Sequence, residues 1–182
     1  MSKYEIDAYI SAFKRVYADG DYSLYEYTPT MLKPLAINYE PMSVVRRVRF
    51  ALEYIRGKYK VYYLTVKNRV VGHCVVTPGG RRLKCSEKKD IVIGPYYIAD
   101  DERGNGYSKT LLNLTLKNCS YDYEYAYDWI EKTNAASIRT TEACGFSKFG
   151  ELNVVGKTRR LVITSNGNDY IYRRKNPNNG AE

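Results

Sequence analysis

Residues 96–108 read YYIADDERGNGYS and form the most informative stretch of the chain. An aromatic and apolar run, typical of a strand, leads through three acids into a glycine-rich turn that opens a helix. Glycine lets the backbone approach a ligand closely, and the free N–H groups and dipole of a helix start favour an anion. The stretch therefore predicts a cradle for phosphate or pyrophosphate, the alternative being a tight strand-to-helix turn without a ligand. It has neither the Lys-Ser/Thr ending of a P-loop nor the extra glycine of the dinucleotide fingerprint.

Hydrophobic patterns on both sides of this stretch predict a mixed α/β layer. The expected helices cover residues 2–17, 44–57, 106–117 and 134–144, and the expected strands cover 61–66, 70–76, 90–98, 121–130, 149–155 and 161–172. We expect a sheet of about six or seven strands flanked by about four helices. These elements predict a single domain over residues 1–175, followed by a disordered tail over residues 176–182.

Composition narrows the class of protein. The chain has 182 residues, 44% hydrophobic and 27% charged, which suits one folded domain. Its one histidine, His73, excludes sites that need two, and no apolar run approaches the length of a membrane span. The four cysteines stand at wide, irregular intervals, which predicts reduced thiols, a cytoplasmic location and no metal site.

The charge balance points to anionic partners. Lys and Arg number 29 against 20 Asp and Glu, a net charge of +9, and the cations concentrate in residues 46–60, 81–89 and 173–175. Such clusters attract nucleic acid, a phosphorylated cofactor or an acidic substrate, although each could also be a solvated face.

A second motif lies beyond the glycine-rich turn. Residues 134–146 read NAASIRTTEACGF, a helix that ends at Gly-Phe. Together with RGNGYS at 103–108 and VVGHCVV at 70–76, it resembles the GNAT superfamily of N-acetyltransferases, with Ser108 where Gly or Ala is usual. The resemblance implies a GNAT-like sheet with a splay between two central parallel strands, 90–98 and 121–130. It also implies acetyl-CoA as the co-substrate, held between these strands.

The same resemblance implies roles for individual residues. The main chain of Tyr97 and Ile98 would pair with the pantetheine arm, and Asn134 would reach the cofactor unless it is a plain helix N-cap. The pyrophosphate would bind main-chain amides of the residues Arg103, Gly104, Asn105, Gly106, Tyr107 and Ser108.

Two carboxylates are candidates for the catalytic base or for a ligand of the acceptor. Asp90 opens its strand where some superfamily members carry a catalytic carboxylate, and Asp128 lies on the strand that follows. Either could instead be an ordinary ion-pair or edge residue. Thr141 stands where many relatives carry a tyrosine acid, and a threonine hydroxyl is too weak an acid for that role. A thiol has a pKa of about 8.5, so its thiolate can leave without help.

These observations predict an acetyl-CoA-dependent N-acetyltransferase that acts on a primary amine of a small molecule, an amino sugar or a protein. The basic clusters favour an acceptor that carries phosphate or carboxylate. The alternative is a CoA- or RNA-binding module of the same fold without transfer. The missing tyrosine acid, the net charge of +9 and the 20 tyrosines favour that alternative.

Overall fold

The computed structural model describes residues 13–37, 43–57, 59–80, 83–156 and 160–180. They form two compact units. The first combines the residues up to Thr77 with Pro95–Asn118, and the second combines Pro78–Gly94 with the residues from Cys119 onward.

The first unit is an antiparallel sheet with two helices. Its strands pair in chain order, β1 (Phe13–Asp19), β2 (Tyr22–Tyr27), β3 (Lys60–Val66) and β4 (Arg69–Pro78), followed by the end of β5 (Ile91–Ile98). The helices are α1 (Val44–Gly57) and α2 (Tyr107–Asn118). Several of the 20 tyrosines are buried and use their hydroxyl groups as hydrogen-bond partners. The hydroxyl of Tyr63 accepts hydrogen bonds from the main-chain N–H groups of Ala36 and Ile37, at 3.0 and 3.2 Å, and so anchors the loop before α1.

The second unit contains the start of β5 and four further strands. These are β6 (Tyr125–Glu131), β7 (Ser147–Val155), β8 (Arg160–Thr164) and β9 (Asp169–Lys175), in the order β5-β6-β9-β7-β8, with helix α3 (Ala135–Ala143) between β6 and β7. Only β5 and β6 are parallel within this order, and their ladder covers two pairs, Ile91 with Ala126 and Val92 with Tyr127. Such a short parallel ladder fits the expected splay.

The described residues contain nine strands and three α-helices, so the expected six or seven strands and four helices were wrong. The helix expected over residues 2–17 is a strand from Phe13 onward, and its earlier residues lie outside the described ranges. The single strand expected over 161–172 is divided into β8 and β9. Gly167 lies in the turn between them, where an added Cβ would come within 2.4 Å of the main-chain oxygen of Leu152.

Other expectations hold with small changes of boundary. The helices expected at 44–57, 106–117 and 134–144 are α1, α2 and α3, and the expected hairpin is β3 and β4. The disordered tail expected over residues 176–182 stays a prediction; its first residue, Asn176, is buried, and its side chain donates to the main-chain oxygen of Tyr123 at 2.8 Å. Among the described residues, every helix is too short or too polar to cross a bilayer.

Candidate active site

The glycine-rich turn connects the end of β5 to the start of α2. A 3-10 turn over Asp100–Glu102 comes first, and Gly104 and Gly106 then adopt φ angles of +85° and +77°. Residues other than glycine rarely adopt this left-handed backbone conformation. An added Cβ at either position would meet nothing within 4 Å, so the two glycines are required by conformation rather than by crowding.

The main-chain N–H groups of the turn remain available as donors. None of those from Gly104 to Ser108 donates a hydrogen bond to any residue that the structure describes. The first amides of a helix have no partner inside the helix, and the helix dipole adds positive potential at the same place. Open space above a row of free donors is the arrangement that binds a phosphate group.

The three acids before the turn are held by two arginines. Arg69 forms ion pairs with Asp101 and with Glu102, the latter at 3.1 Å, and Arg103 pairs with Asp100 at 2.7 Å. Unpaired carboxylates beside an anion site would repel the ligand. These ion pairs therefore neutralise the carboxylates beside the N-terminus of α2 and reduce their repulsion of an anion there.

The end of β5 packs closely on β4. A Cβ added at Gly72 would lie 2.6 Å from the main-chain oxygen of Tyr97 and 2.5 Å from the side chain of Ile98, so only glycine fits there. The Tyr97 ring stacks on His73, with centroids 6.1 Å apart, and the guanidinium of Arg103 lies 5.2 Å from the centre of the Tyr97 ring. His73 is accordingly a buried side chain of β4 that packs against a neighbouring ring.

Asp128, in β6 of the second unit, is a buried carboxyl that contacts a buried hydroxyl. Its exposed fraction is 3%, and the Thr141 hydroxyl of α3 donates to its Oδ2 atom at 2.8 Å. Burial raises the pKa of Asp128 to about 7, against the lowering effect of hydrogen bonds from Thr141 and from the main-chain N–H of Trp129. The carboxyl can therefore exchange a proton near neutral pH.

The surroundings of Asp128 include a glycine and a tyrosine. Gly94 has a φ of +100°, and its Cβ position would lie 3.7 Å from Asp128 Oδ1. Tyr172 lies opposite Asp128 on β9 and donates its hydroxyl to Glu142 at 3.1 Å. Sequence reasoning considered Asp128 and Thr141 separately and missed both their contact and Gly94. Nothing in a single sequence links a strand residue to one particular helix residue.

The other two expected site residues hold local structure. Asp90 is buried, and its two carboxylate oxygens accept main-chain hydrogen bonds from Glu87 at 2.7 Å and from Tyr125 at 3.1 Å. Asn134 is the N-cap of α3, where its side chain accepts from the N–H of Ser137 at 3.1 Å. The structure thus shows the capping role of Asn134, and a contact with the cofactor stays a prediction.

Comparisons with known proteins identify the family of the chain and proteins of similar fold. The sequence model of the Acetyltransferase (GNAT) family matches residues 30–146. No curated protein matches the chain.

Solved structures with a similar fold include RimL, a ribosomal L7/L12 alpha-N-protein acetyltransferase, in an apo crystal form. It is 16% identical with a TM-score of 0.58, over 90% of this chain and 94% of that chain. The structure of yncA from Salmonella typhimurium, solved with acetyl-CoA, is 18% identical with a TM-score of 0.53, over 87% of this chain and 96% of that chain. The structure of the Microcin C7 self immunity acetyltransferase MccE, solved with acetyl-CoA and AMP, is 15% identical with a TM-score of 0.54, over 86% of this chain and 93% of that chain. At these identities the similarity shows the fold, and the match of the family model shows that the chain belongs to the Acetyltransferase (GNAT) family.

Proposed function

We propose that this protein transfers the acetyl group of acetyl-CoA to a primary amine on a small molecule, an amino sugar or a protein. The observation that carries the proposal is the glycine-rich helix start, whose main-chain N–H groups make no hydrogen bond within the described residues and would be donors for a pyrophosphate. Membership of an acetyltransferase family supports the reaction type, and two similar structures hold acetyl-CoA. RimL, a further similar structure, acts on a protein, so a protein acceptor belongs in the test.

In the first unit, we assign the cofactor contacts to two stretches of main chain. The amides of the turn from Arg103 to Ser108 would hold the pyrophosphate, and the main chain of Tyr97 and Ile98 would pair with the pantetheine arm. Asn134, at the start of α3, is a further candidate contact. When bound, acetyl-CoA supplies an activated acyl group and a thiol leaving group.

Asp128 is the better of the two candidate bases. A base acts most effectively when its pKa lies near the working pH, and burial raises the pKa of Asp128 to about 7. Both carboxylate oxygens of Asp90 are engaged by main-chain donors, so we assign that residue a structural role. The net charge of +9 favours an acceptor that carries phosphate or carboxylate.

The test is release of free thiol from acetyl-CoA in the presence of a panel of amines. The panel would contain amino sugars, nucleotide-linked amines and peptides with a free N-terminus, with reactions lacking amine as blanks. We expect at least one amine to accelerate thiol release, and Asp128→Asn to reduce that rate by about 10²-fold or more. Asp122→Asn, which removes an exposed carboxylate from the same unit, is the matched control and should keep the rate.

A different result would identify a binding module. If acetyl-CoA raises the melting temperature but no amine accelerates thiol release, the transferase proposal fails. A mobility shift of single-stranded RNA that weakens steeply with salt would then favour the nucleic-acid alternative.

A further inference from the structure

Arg173, on β9 of the second unit, is a partly buried cation that lies among three aromatic rings. Its guanidinium carbon is 4.6 Å from the centre of the Tyr125 ring and 4.3 Å from the centre of the Phe149 ring. Burial raises the pKa of the Tyr127 hydroxyl, and a hydrogen bond from Arg173 acts against this rise. The rings therefore hold in one place a group that carries a full charge and several N–H donors, the combination that binds an anion.

A second cation lies on the same face of the sheet. Residues directly opposite each other in an antiparallel ladder have side chains on one face. In the ladder between β6 and β9, Lys175 lies opposite Tyr125 and Arg173 lies opposite Tyr127. On the other side of β9, Ser147 of β7 lies opposite Arg173, and both Lys175 and Ser147 are exposed. Two cations, about 7 Å apart along β9, therefore share a face with aromatic rings and a hydroxyl.

The carboxylates around these cations are engaged by other groups. Asp90, whose charge acts on the same tyrosine as that of Arg173, accepts a main-chain hydrogen bond at each of its oxygens. Glu124, at the start of the same strand region, forms an ion pair with Lys89. Among the described residues, none of the ion pairs includes Arg173 or Lys175. The face thus carries positive charge that attracts an anion from solution.

Phe149 belongs to this face because of a β-bulge. The register of β7 against β9 shifts between Lys148 and Gly150, so Phe149 is an extra residue in its strand. Bulges often turn a side chain toward a functional site. Here the Phe149 ring lies against the guanidinium of Arg173 and 6.0 Å from the ring centre of Tyr127, and its exposed fraction is 39%. The bulge therefore presents one aromatic ring to solvent directly beside an arginine.

We propose that this face binds one nucleotide through a set of residues, the Arg173 patch, made up of Tyr125, Ser147, Phe149, Arg173 and Lys175. The phosphate binds Arg173 and Lys175, because a guanidinium fork matches a pair of phosphate oxygens and a lysine adds a point charge. The base stacks on Phe149, since every base has a flat face that an aromatic ring can cover. An acidic peptide would use the two cations and leave the ring without a partner, so the ring favours a nucleotide. The inference concerns binding alone and does not depend on the proposed acetyl transfer.

Calorimetry at low salt tests the patch with UMP, AMP, inorganic phosphate and a short single-stranded oligouridylate. We expect UMP and AMP to bind with dissociation constants below about 1 mM, and inorganic phosphate to bind at least about 10-fold more weakly because it has no base to stack. The same chemistry occurs in a free nucleotide and in an RNA strand. An oligouridylate that binds more than about 10-fold more tightly than UMP, with a steep salt dependence, identifies the strand as the ligand, and equal affinities identify the free nucleotide.

Substitutions test the role of each group in the patch. Arg173→Gln should weaken UMP binding by about 10-fold or more, because it removes the charge and the fork. Arg139→Gln, which removes an exposed arginine from α3 of the same unit, is the matched control and should keep the affinity of the wild type. Phe149→Leu should weaken binding by about 5-fold or more, whereas Phe149→Tyr, which keeps an aromatic ring, should not. Melting without ligand shows that each variant is folded, and Lys175→Gln, at an exposed position, replaces Arg173→Gln if that variant does not fold.

Gly106→Glu distinguishes the patch from the cofactor turn. It alters the turn of the first unit and should bind UMP as the wild type does. Loss of UMP binding in this variant would place the nucleotide on the turn and overturn the proposal. The proposal is also wrong if Arg173→Gln binds UMP as tightly as the wild type, if all nucleotides bind more weakly than about 1 mM, or if a short glutamate peptide binds as tightly as UMP. A failure of every amine to accelerate thiol release would end the proposed function and leave these binding measurements unchanged.

Discussion

Replacing Asp128 by asparagine should stabilise the protein above neutral pH and change its stability little in acid. Asparagine has the same shape, carries no charge, and retains an oxygen that can accept the Thr141 hydroxyl. The carboxyl has an ordinary pKa of 3.8, which burial raises to about 7 in the folded state. Between these two values the folded protein holds a proton that the unfolded chain has lost. The contribution of this carboxyl to the stability of the wild type therefore falls as the pH rises from about 4 to about 7 and levels off above that.

The size of the effect follows from the two pKa values. Each whole pKa step corresponds to about 1.4 kcal/mol, so a rise from 3.8 to about 7 corresponds to about 4 kcal/mol. The asparagine variant cannot titrate at this position and avoids the loss. The difference in free energy of unfolding, variant minus wild type, should therefore grow by about 4 kcal/mol between pH 4 and pH 8.

Urea unfolding at a series of pH values measures this difference directly. Asp122→Asn removes one negative charge from an exposed position of the same unit and controls for the change in net charge. A difference for Asp128→Asn that stays within about 1 kcal/mol over the whole range would show that this carboxyl is not destabilised by burial. The assignment of Asp128 as a base near neutral pH would then lose its physical reason.

Three further substitutions test the loop and the strand. Gly106→Glu should abolish the rise in melting temperature with acetyl-CoA, because it places an anion on the free amides; a stable variant with a normal shift would contradict the cofactor site. Arg69→Ala should weaken acetyl-CoA binding by about 2- to 10-fold at low salt and less at high salt, measured by calorimetry, because it leaves two acids unpaired beside the loop. Gly94→Ala should lower the free energy of unfolding by about 1–3 kcal/mol, because alanine is strained at a φ of +100°; its urea midpoint should fall below that of the wild type.

Sequence patterns predicted most elements because their periodicity is local, and the errors have local causes too. In β1 the register against β2 shifts between Arg15 and Tyr17, so Val16 is an extra residue in the strand. Because of this bulge, one strand contains Phe13, Val16 and Tyr17, which are three and four residues apart in sequence, the spacing of a helix face. A strand with a bulge therefore presented a helical pattern.

Helix α1 shows a different limit of pattern reasoning. Its apolar side chains have the expected helical spacing, yet five of them are exposed, namely Val44, Val45, Val48, Leu52 and Ile55. Periodicity identifies a helix with an apolar side, but it says nothing about what covers that side. The glycine-rich turn was predictable because its residues are adjacent in sequence. The contact between Asp128 and Thr141 was not, because it depends on how α3 packs on β6.

The chain order of the two compact units has a consequence for folding and for engineering. Each unit is built from two separate stretches, and each contains a piece that lies between the stretches of the other. During synthesis the first unit cannot close until Asn118 has emerged, by which time part of the second unit has already left the ribosome. Neither unit can be produced by trimming one end of the gene, and a single recombination event cannot exchange either for that of a relative. A half-protein would require a circular permutant or a designed linker that rejoins the two stretches.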